Sequence, residues 1–101
     1  MSDWYLYLIR CSDGSFYTGI AIDVVRRLAE HQGEGKTGAK YVRGRRPLTL
    51  VLQKKLGSVG LALRVERRVK KLSKAQKEKL IGSNEYIEEI IREERSKLNK
   101  D

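Results

Sequence analysis

Trp4 to Cys11 is rich in aromatic and branched apolar side chains, and it is broken off by Ser12-Asp13-Gly14-Ser15. A second short run, Phe16 to Ile20, follows at once. Two such runs across a glycine-containing turn read as a β-hairpin, which commits the first fifth of the chain to a sheet. Leu48-Thr49-Leu50-Val51-Leu52 is predicted as a third strand. The remaining segments read as helices with recognisable starts. Asp23 caps Val24 to about Gln32, and Ser58 caps a helix running to Leu72. Ser73 with Gln76 makes a capping-box pattern for a helix to about Ile81, and Ser83 or Asn84 caps a last helix to about Leu98. Gly33 to Pro47, with four glycines and five cations, reads as a loop with at most a helical turn. Strands first and helices after predict an α+β domain: a small, three-stranded, mostly antiparallel sheet flanked by helices. Residues 1–82 are read as one domain, with 83–101 a C-terminal helix packed on it. At 101 residues the chain can build one modest core.

Charge narrows the function. The chain carries a formal +9, and Lys36 to Lys71 holds twelve Lys or Arg against one acid, Glu66. Such a field needs an anionic partner, and nucleic acid is the commonest, with an acidic membrane surface the weaker alternative. Residues 1–83 hold 18 basic and 7 acidic side chains, a net of +11, whereas 84–101 hold 4 and 6, a net of −2. The C-terminal segment is therefore not the expected nucleic-acid surface. No apolar run reaches the ~20 residues of a membrane span. Met1-Ser2-Asp3-Trp4 lacks a signal-peptide pattern, and Cys11 is the only cysteine. A cytoplasmic location, with neither a disulfide nor a cysteine-built zinc site, is the expectation.

Three groups of residues carry possible chemistry. On a wheel at about 100° per residue with Val59 at zero, Leu61, Ala62, Leu63, Val65, Val69 and Leu72 fill one arc. Glu66 falls inside that arc, at about 340°, with Lys70 beside it, while Arg64, Arg67, Arg68 and Lys71 lie opposite. A carboxylate pointing inward needs a partner. Two readings stand: a structural ion pair with an arginine, or a ligand for Mg²⁺, which takes few protein ligands and keeps its waters. Arg27 and His31, at i and i+4, share one face of the helix from Asp23 and can hold phosphate or pack as ordinary side chains. Arg26 and Glu30 read as solvated surface. Tyr5 and Tyr7 share one face of the first strand, with Tyr17 on the second, either as core tyrosines with wet hydroxyls or as site residues.

Taken in order, Tyr5-Leu6-Tyr7, the hairpin, Tyr17-Thr18-Gly19, Arg27, His31 and the later helical Glu66 resemble the GIY-YIG nuclease superfamily. The likeness is to its small single-domain branch, long catalogued as uncharacterised proteins, and runs from about Trp4 to Ile81. Ala39-Lys40-Tyr41-Val42-Arg43-Gly44-Arg45-Arg46-Pro47 and Val69-Lys70-Lys71-Leu72-Ser73 carry it further. The first motif departs as Tyr-Leu-Tyr and the second as Tyr-Thr-Gly, but the tyrosines and the second glycine remain. The resemblance implies Tyr7 as general base, Tyr17 and Gly19 as the second-motif tyrosine and structural glycine, Arg27 on phosphate and Glu66 on the metal. His31 joins this catalytic group. Lys40, Arg43, Arg45, Arg46 and Lys70 are the expected grips on the backbone, with Tyr41 stacking on a base. Asn84 is the nearest counterpart of an asparagine found in some members, but its spacing is poor and it is not carried over.

The implied activity is Mg²⁺-dependent (or other divalent-ion) endonucleolytic hydrolysis of DNA, with RNA possible. The selectivity expected is for structure or ends rather than sequence, and no small-molecule cofactor is expected. A nucleic-acid-binding module with little activity is the alternative. Tyr7 can take a proton from the attacking water provided that nearby cations lower its pKa from its usual ~10. A shared site also fixes the hairpin register. A two-residue Asp13-Gly14 turn would put Tyr7 and Tyr17 on opposite faces. A three-residue Ser12-Asp13-Gly14 loop pairs Ile9 with Tyr17 and Tyr7 with Gly19, and calls for a positive φ at Gly14.

Overall fold

The computed structural model describes residues 2–33, 42 and 44–99. Its elements are β1 (Trp4–Arg10), β2 (Phe16–Ala21), α1 (Val24–Gln32), β3 (Thr49–Gly57), α2 (Val59–Lys70), α3 (Lys74–Gly82) and α4 (Asn84–Leu98). The three strands form one antiparallel sheet in the order β2-β1-β3. The fold is therefore α+β, as the order of strand and helix patterns implied.

The hairpin has the longer of the two loops considered. Cys11 N–H donates to Ser15 O at 2.8 Å, Gly14 N–H donates to Cys11 O at 2.9 Å, and Gly14 sits at φ +82°. Ile9 pairs with Tyr17 and Tyr7 with Gly19, so both tyrosines face the same side. Asp13 locks the loop by accepting from the Ser15 amide at 3.0 Å and the Ser15 hydroxyl at 2.6 Å. The hairpin is also tied to α3 by a two-bond fork from Arg10 to Glu78, at 2.9 and 2.7 Å.

β1 is central and buried on both faces. Leu6 and Leu8 point into the larger core, with Leu61, Ala62, Val65 and Val69 of α2, Leu80 of α3 and Ile87, Ile90 and Ile91 of α4. Tyr7 and Ile9 point the other way, with Cys11, Ala21, Val24, Val42 and Leu48. Each large apolar side chain fully buried here contributes about 1.5–3 kcal/mol before entropy is counted, so α4 is a major packing element.

Two expectations about elements need correction. β3 does not stop at Leu52 but continues to Gly57. The charged stretch Gln53-Lys54-Lys55 is strand because backbone pairing to Tyr7, Leu6 and Tyr5 fixes it. Its lysines sit on an edge strand, where charge discourages further pairing. The apolar arc of α2 is also narrower than the wheel implied: Val59 and Leu63 are 44% and 45% exposed. Glu66 therefore lies on the flank of the helix rather than in its buried stripe.

The caps follow the sequence. Asp23 Oδ1 accepts from Arg26 N–H at 3.0 Å, Ser58 Oγ from Leu61 N–H at 3.2 Å, and Ser83 Oγ from Tyr86 N–H at 3.3 Å. Both bonds of the Ser73–Gln76 capping box form, at 3.1 and 2.9 Å. Each such cap is worth ~1 kcal/mol.

Candidate active site

The site forms where α1 covers the tyrosine face of the sheet. Asp23 starts α1 directly after β2, and its i, i+4 rows send Arg27 and His31 over β1 and β2. Tyr7 and His31 are each 2% exposed, and Tyr7 Oη lies 3.0 Å from His31 Nε2. Tyr17 completes an aromatic triad: its ring centre is 6.3 Å from that of Tyr7 and 5.2 Å, edge-on, from that of His31. Gly19 makes room for this. A Cβ built there would overlap the Tyr7 ring, 2.5 Å from Cζ and 2.9 Å from Cε2.

Electrostatics then assign protonation states. Burial pushes the Tyr7 phenol up to about 12. The Tyr17 phenol and the Glu66 carboxylate contribute to that rise, and the Arg27 guanidinium opposes it through charge and hydrogen bonding. The condition that nearby cations lower it is not met. A single arginine, already committed to Glu30 at 2.8 Å, does not offset loss of water around a phenolate. His31 moves below its ordinary value because of burial and then the Arg27 charge, with Glu30 opposing. It is neutral at pH 7, and in the Nδ1–H tautomer its Nε2 accepts from Tyr7 Oη. The opposed shifts leave a protonated phenol hydrogen-bonded to a neutral imidazole.

Glu30 was not singled out in the sequence and is not plain surface. It binds Arg27 at 2.8 Å and Arg26 at 3.4 Å, which fixes the Arg27 guanidinium beside Tyr7. The i, i+3 spacing of Arg27 and Glu30 was the signal that could have found it.

Glu66 approaches from α2, close enough for its charge to bear on Tyr7. Its side chain is 18% exposed, and its ion pair among the described residues is a loose one, Lys70 Nζ at 3.5 Å. The arginine partner that would have made Glu66 a structural residue is absent from that set. Among the described residues no three His, Cys, Asp or Glu side chains converge on one point. One under-partnered carboxylate at the rim of a buried cluster fits Mg²⁺, which is held by one or two carboxylates together with substrate phosphate and water.

The expected backbone grips divide. Lys40, Tyr41 and Arg43 lie outside the described residues. Arg45 binds Asp13 at 3.2 Å, and its carbonyl accepts from Ser12 N–H at 2.9 Å, which holds the segment to the hairpin loop. Arg46 Nη1 donates to the carbonyls of Gln32 and Gly33, at 2.9 and 2.7 Å, satisfying the end of α1. These two arginines thus have structural partners that the loop reading did not foresee. Lys70 is the Glu66 partner. Asn84 accepts from Lys54 at 2.9 Å, and Lys54 pairs with Leu6, on the sheet face away from Tyr7.

Comparison with known proteins places the chain in a family. Residues 3–79 match the family described as the GIY-YIG catalytic domain. The UPF0213 protein YhbQ of Salmonella arizonae is 50% identical over 91 residues, covering 90% of this chain and 89% of that protein. A UPF0213 protein of Cronobacter sakazakii is 56% identical over 82 residues, covering 81% and 84%. The solution structure of the UPF0213 protein BH0048 from Bacillus halodurans matches 98% of this chain and 99% of that one, at 39% identity and a TM-score of 0.52. The solution structure of EF2693 from E. faecalis matches 81% and 85%, at 34% identity and 0.57. With its match spanning both tyrosine motifs, α1 and Glu66, the chain belongs to the GIY-YIG catalytic domain family, whose fold is that of nucleases.

Proposed function

We propose that the protein is a divalent-metal-dependent endonuclease that hydrolyses phosphodiester bonds of DNA, selecting structure or ends rather than sequence. The observation that carries this reading is the buried 3.0 Å hydrogen bond between Tyr7 and a neutral His31, with Arg27 and Glu66 at its rim.

The bond suggests how a phenol with a raised pKa acts as a base. As the attacking water gives its proton to Tyr7 Oη, the Tyr7 proton passes to His31 Nε2. No free phenolate accumulates, so the high Tyr7 pKa is no obstacle. The water oxygen forms the new P–O bond, the bond to the departing sugar oxygen breaks, that oxygen takes a proton from solvent, and His31 gives its extra proton back to solvent. Arg27, oriented by Glu30, faces the charge that builds on the phosphate. Tyr17 packs edge-on against His31 and keeps the imidazole in place. Glu66 would hold the cation, which when bound stabilises charge on the phosphate and on the leaving oxygen.

The decisive experiment is a cleavage assay on single-stranded, duplex, branched and open-ended DNA and on RNA, with Mg²⁺ and with EDTA. Metal-dependent cleavage of DNA that disappears in Tyr7→Phe is expected. Tight binding without turnover on every substrate would instead favour a binding module on a nuclease fold.

A further inference from the structure

α2 carries a second cationic surface that the catalytic reading leaves unused. A groove of about 250 Å³ runs between α2 and α4, lined by Arg64, Arg67, Arg68, Lys71, Glu94 and Lys97. Two acids of α4 partly neutralise it. Glu94 is buried and binds Arg64 at 3.3 Å, Arg68 at 3.1 Å and Lys97 at 3.3 Å, and Glu93 binds Arg68 at 2.6 Å. Five cations against two carboxylates leave a net of +3. Arg67 and Lys71 are exposed and form no ion pair among the described residues. The acids hold the inner arginines in place, and the outer cations are left to solvent.

We propose that this face of α2 is a second phosphate-binding surface, gripping the nucleic acid beyond the point of cleavage. The proposal rests on the nuclease reading and names a further contact for the same substrate. Length argues for a polynucleotide rather than a nucleotide. From Arg64 to Lys71 is seven helical steps, roughly 10 Å at 1.5 Å per residue, the length of about three base-pair steps at ~3.4 Å of duplex axis per phosphate of one strand. Position argues for the same molecule. Around the helix at about 100° per residue, Lys70 lies near 20°, Arg67 near 80°, Lys71 near 120° and Arg64 near 140°, counted from Val59. Those cations bridge the flank carrying Glu66 and the groove beside α4, across a helix only ~10–12 Å thick. A backbone leaving the catalytic flank over the C-terminal half of the exposed ridge of α2 therefore meets Lys70, Arg67 and Lys71 in turn, past the exposed Leu63. A hairpin-plus-α1 site would see one scissile phosphate. This belt adds affinity for what flanks it, which favours long or branched substrates over short ends.

The test uses Arg67→Gln/Lys71→Gln in the full chain, with binding followed by fluorescence anisotropy in EDTA across a salt series. Two duplexes serve as probes, one too short to extend past the catalytic groups and one several turns long. The variant should melt with the wild type, bind the short duplex equally, and lose about 2 from the log K against log salt slope on the long one, near 0.9 per lost phosphate contact. If the double variant melts early, Lys71→Gln alone should lose ~0.9. Wild-type binding with an unchanged variant slope on the long duplex would overturn the proposal in favour of an acidic protein surface as occupant. Equal losses on both duplexes would overturn it by placing these cations in the catalytic cleft. Wild type that binds neither duplex would refute the nuclease reading itself.

Discussion

Gly19 lies against the phenol end of Tyr7, its cross-strand partner, with no room between them for a methyl group. The phenol is seated in a slot that only glycine leaves open. Gly19→Ala should displace Tyr7 from His31. Misplacement of a reacting group by ~1 Å can cost about 10²-fold in rate, and overpacking should lower stability by about 1–3 kcal/mol. Turnover and thermal melts measure both; an alanine variant with wild-type turnover would show that Tyr7 does not need its present seat.

Glu66→Gln should abolish metal-dependent cleavage with little effect on folding or DNA affinity. Its Lys70 ion pair is loose and half-exposed, the kind that contributes ~0–1 kcal/mol. A variant that melts early while its folded fraction still cleaves would make Glu66 a structural residue.

The pair Tyr7–His31 should set the pH limits. His31 is held below its ordinary 6.5, so between the folded and unfolded values the unfolded chain binds more protons. Its contribution to stability is complete above pH 6.5 and falls as acid carries the protein down through the folded value. Cleavage should fail on the same acid limb, when Nε2 can no longer accept. Tyr7 has the opposite sign: with a folded value of about 12 against 10.0, its contribution is complete below pH 10 and is lost towards 12. His31→Gln should flatten the acid limb of the stability curve and Tyr7→Phe the alkaline one. Curves superimposable on wild type would refute both assignments.

Glu94 should matter more than its place in the acidic segment indicates. Glu94→Gln leaves Arg64 and Arg68, one turn apart on α2, without the carboxylate of α4 that both of them bind. Breaking a fully buried ion pair costs ~3–5 kcal/mol. Because the arginines are 35% and 34% exposed, a loss nearer 1–3 kcal/mol is expected. Denaturant melts at high and low salt would measure it, and no change in midpoint would show α4 held by its isoleucines alone.

Arg46→Ala should act on stability before it acts on binding. It removes two bonds to the end of α1, the helix that carries Arg27 and His31. About 1–2 kcal/mol is expected for an exposed, charged donor, with loss of activity following the loss of fold. A stable variant with a flatter salt dependence of DNA binding would restore Arg46 to the phosphate-gripping role read from the loop.

Local chemistry made much of the fold legible in the sequence. Asp23, Ser58, Ser73 and Ser83 start helices because each side chain satisfies an amide two or three residues on, an interaction that needs no distant partner. Ser12-Asp13-Gly14 fixed the hairpin register because only the three-residue loop puts the positive φ on glycine and both tyrosines on one face. Tertiary structure alone decided the quantities that depend on solvent exclusion and on partners far along the chain. The direction of the Tyr7 shift follows from burial beneath α1, and its bond to His31 joins residues 24 apart in sequence. Arg68 meets Glu94 across 26 residues, so the anions that quiet the basic helix come from the acidic segment that composition had set apart. Lys54 and Lys55 became strand because β1 offered them a backbone ladder, which outweighs the local preference of a polar stretch. Helix periodicity put Glu66 among the apolar residues of α2, and packing turned the helix so that its carboxylate stands at the rim, within reach of Lys70.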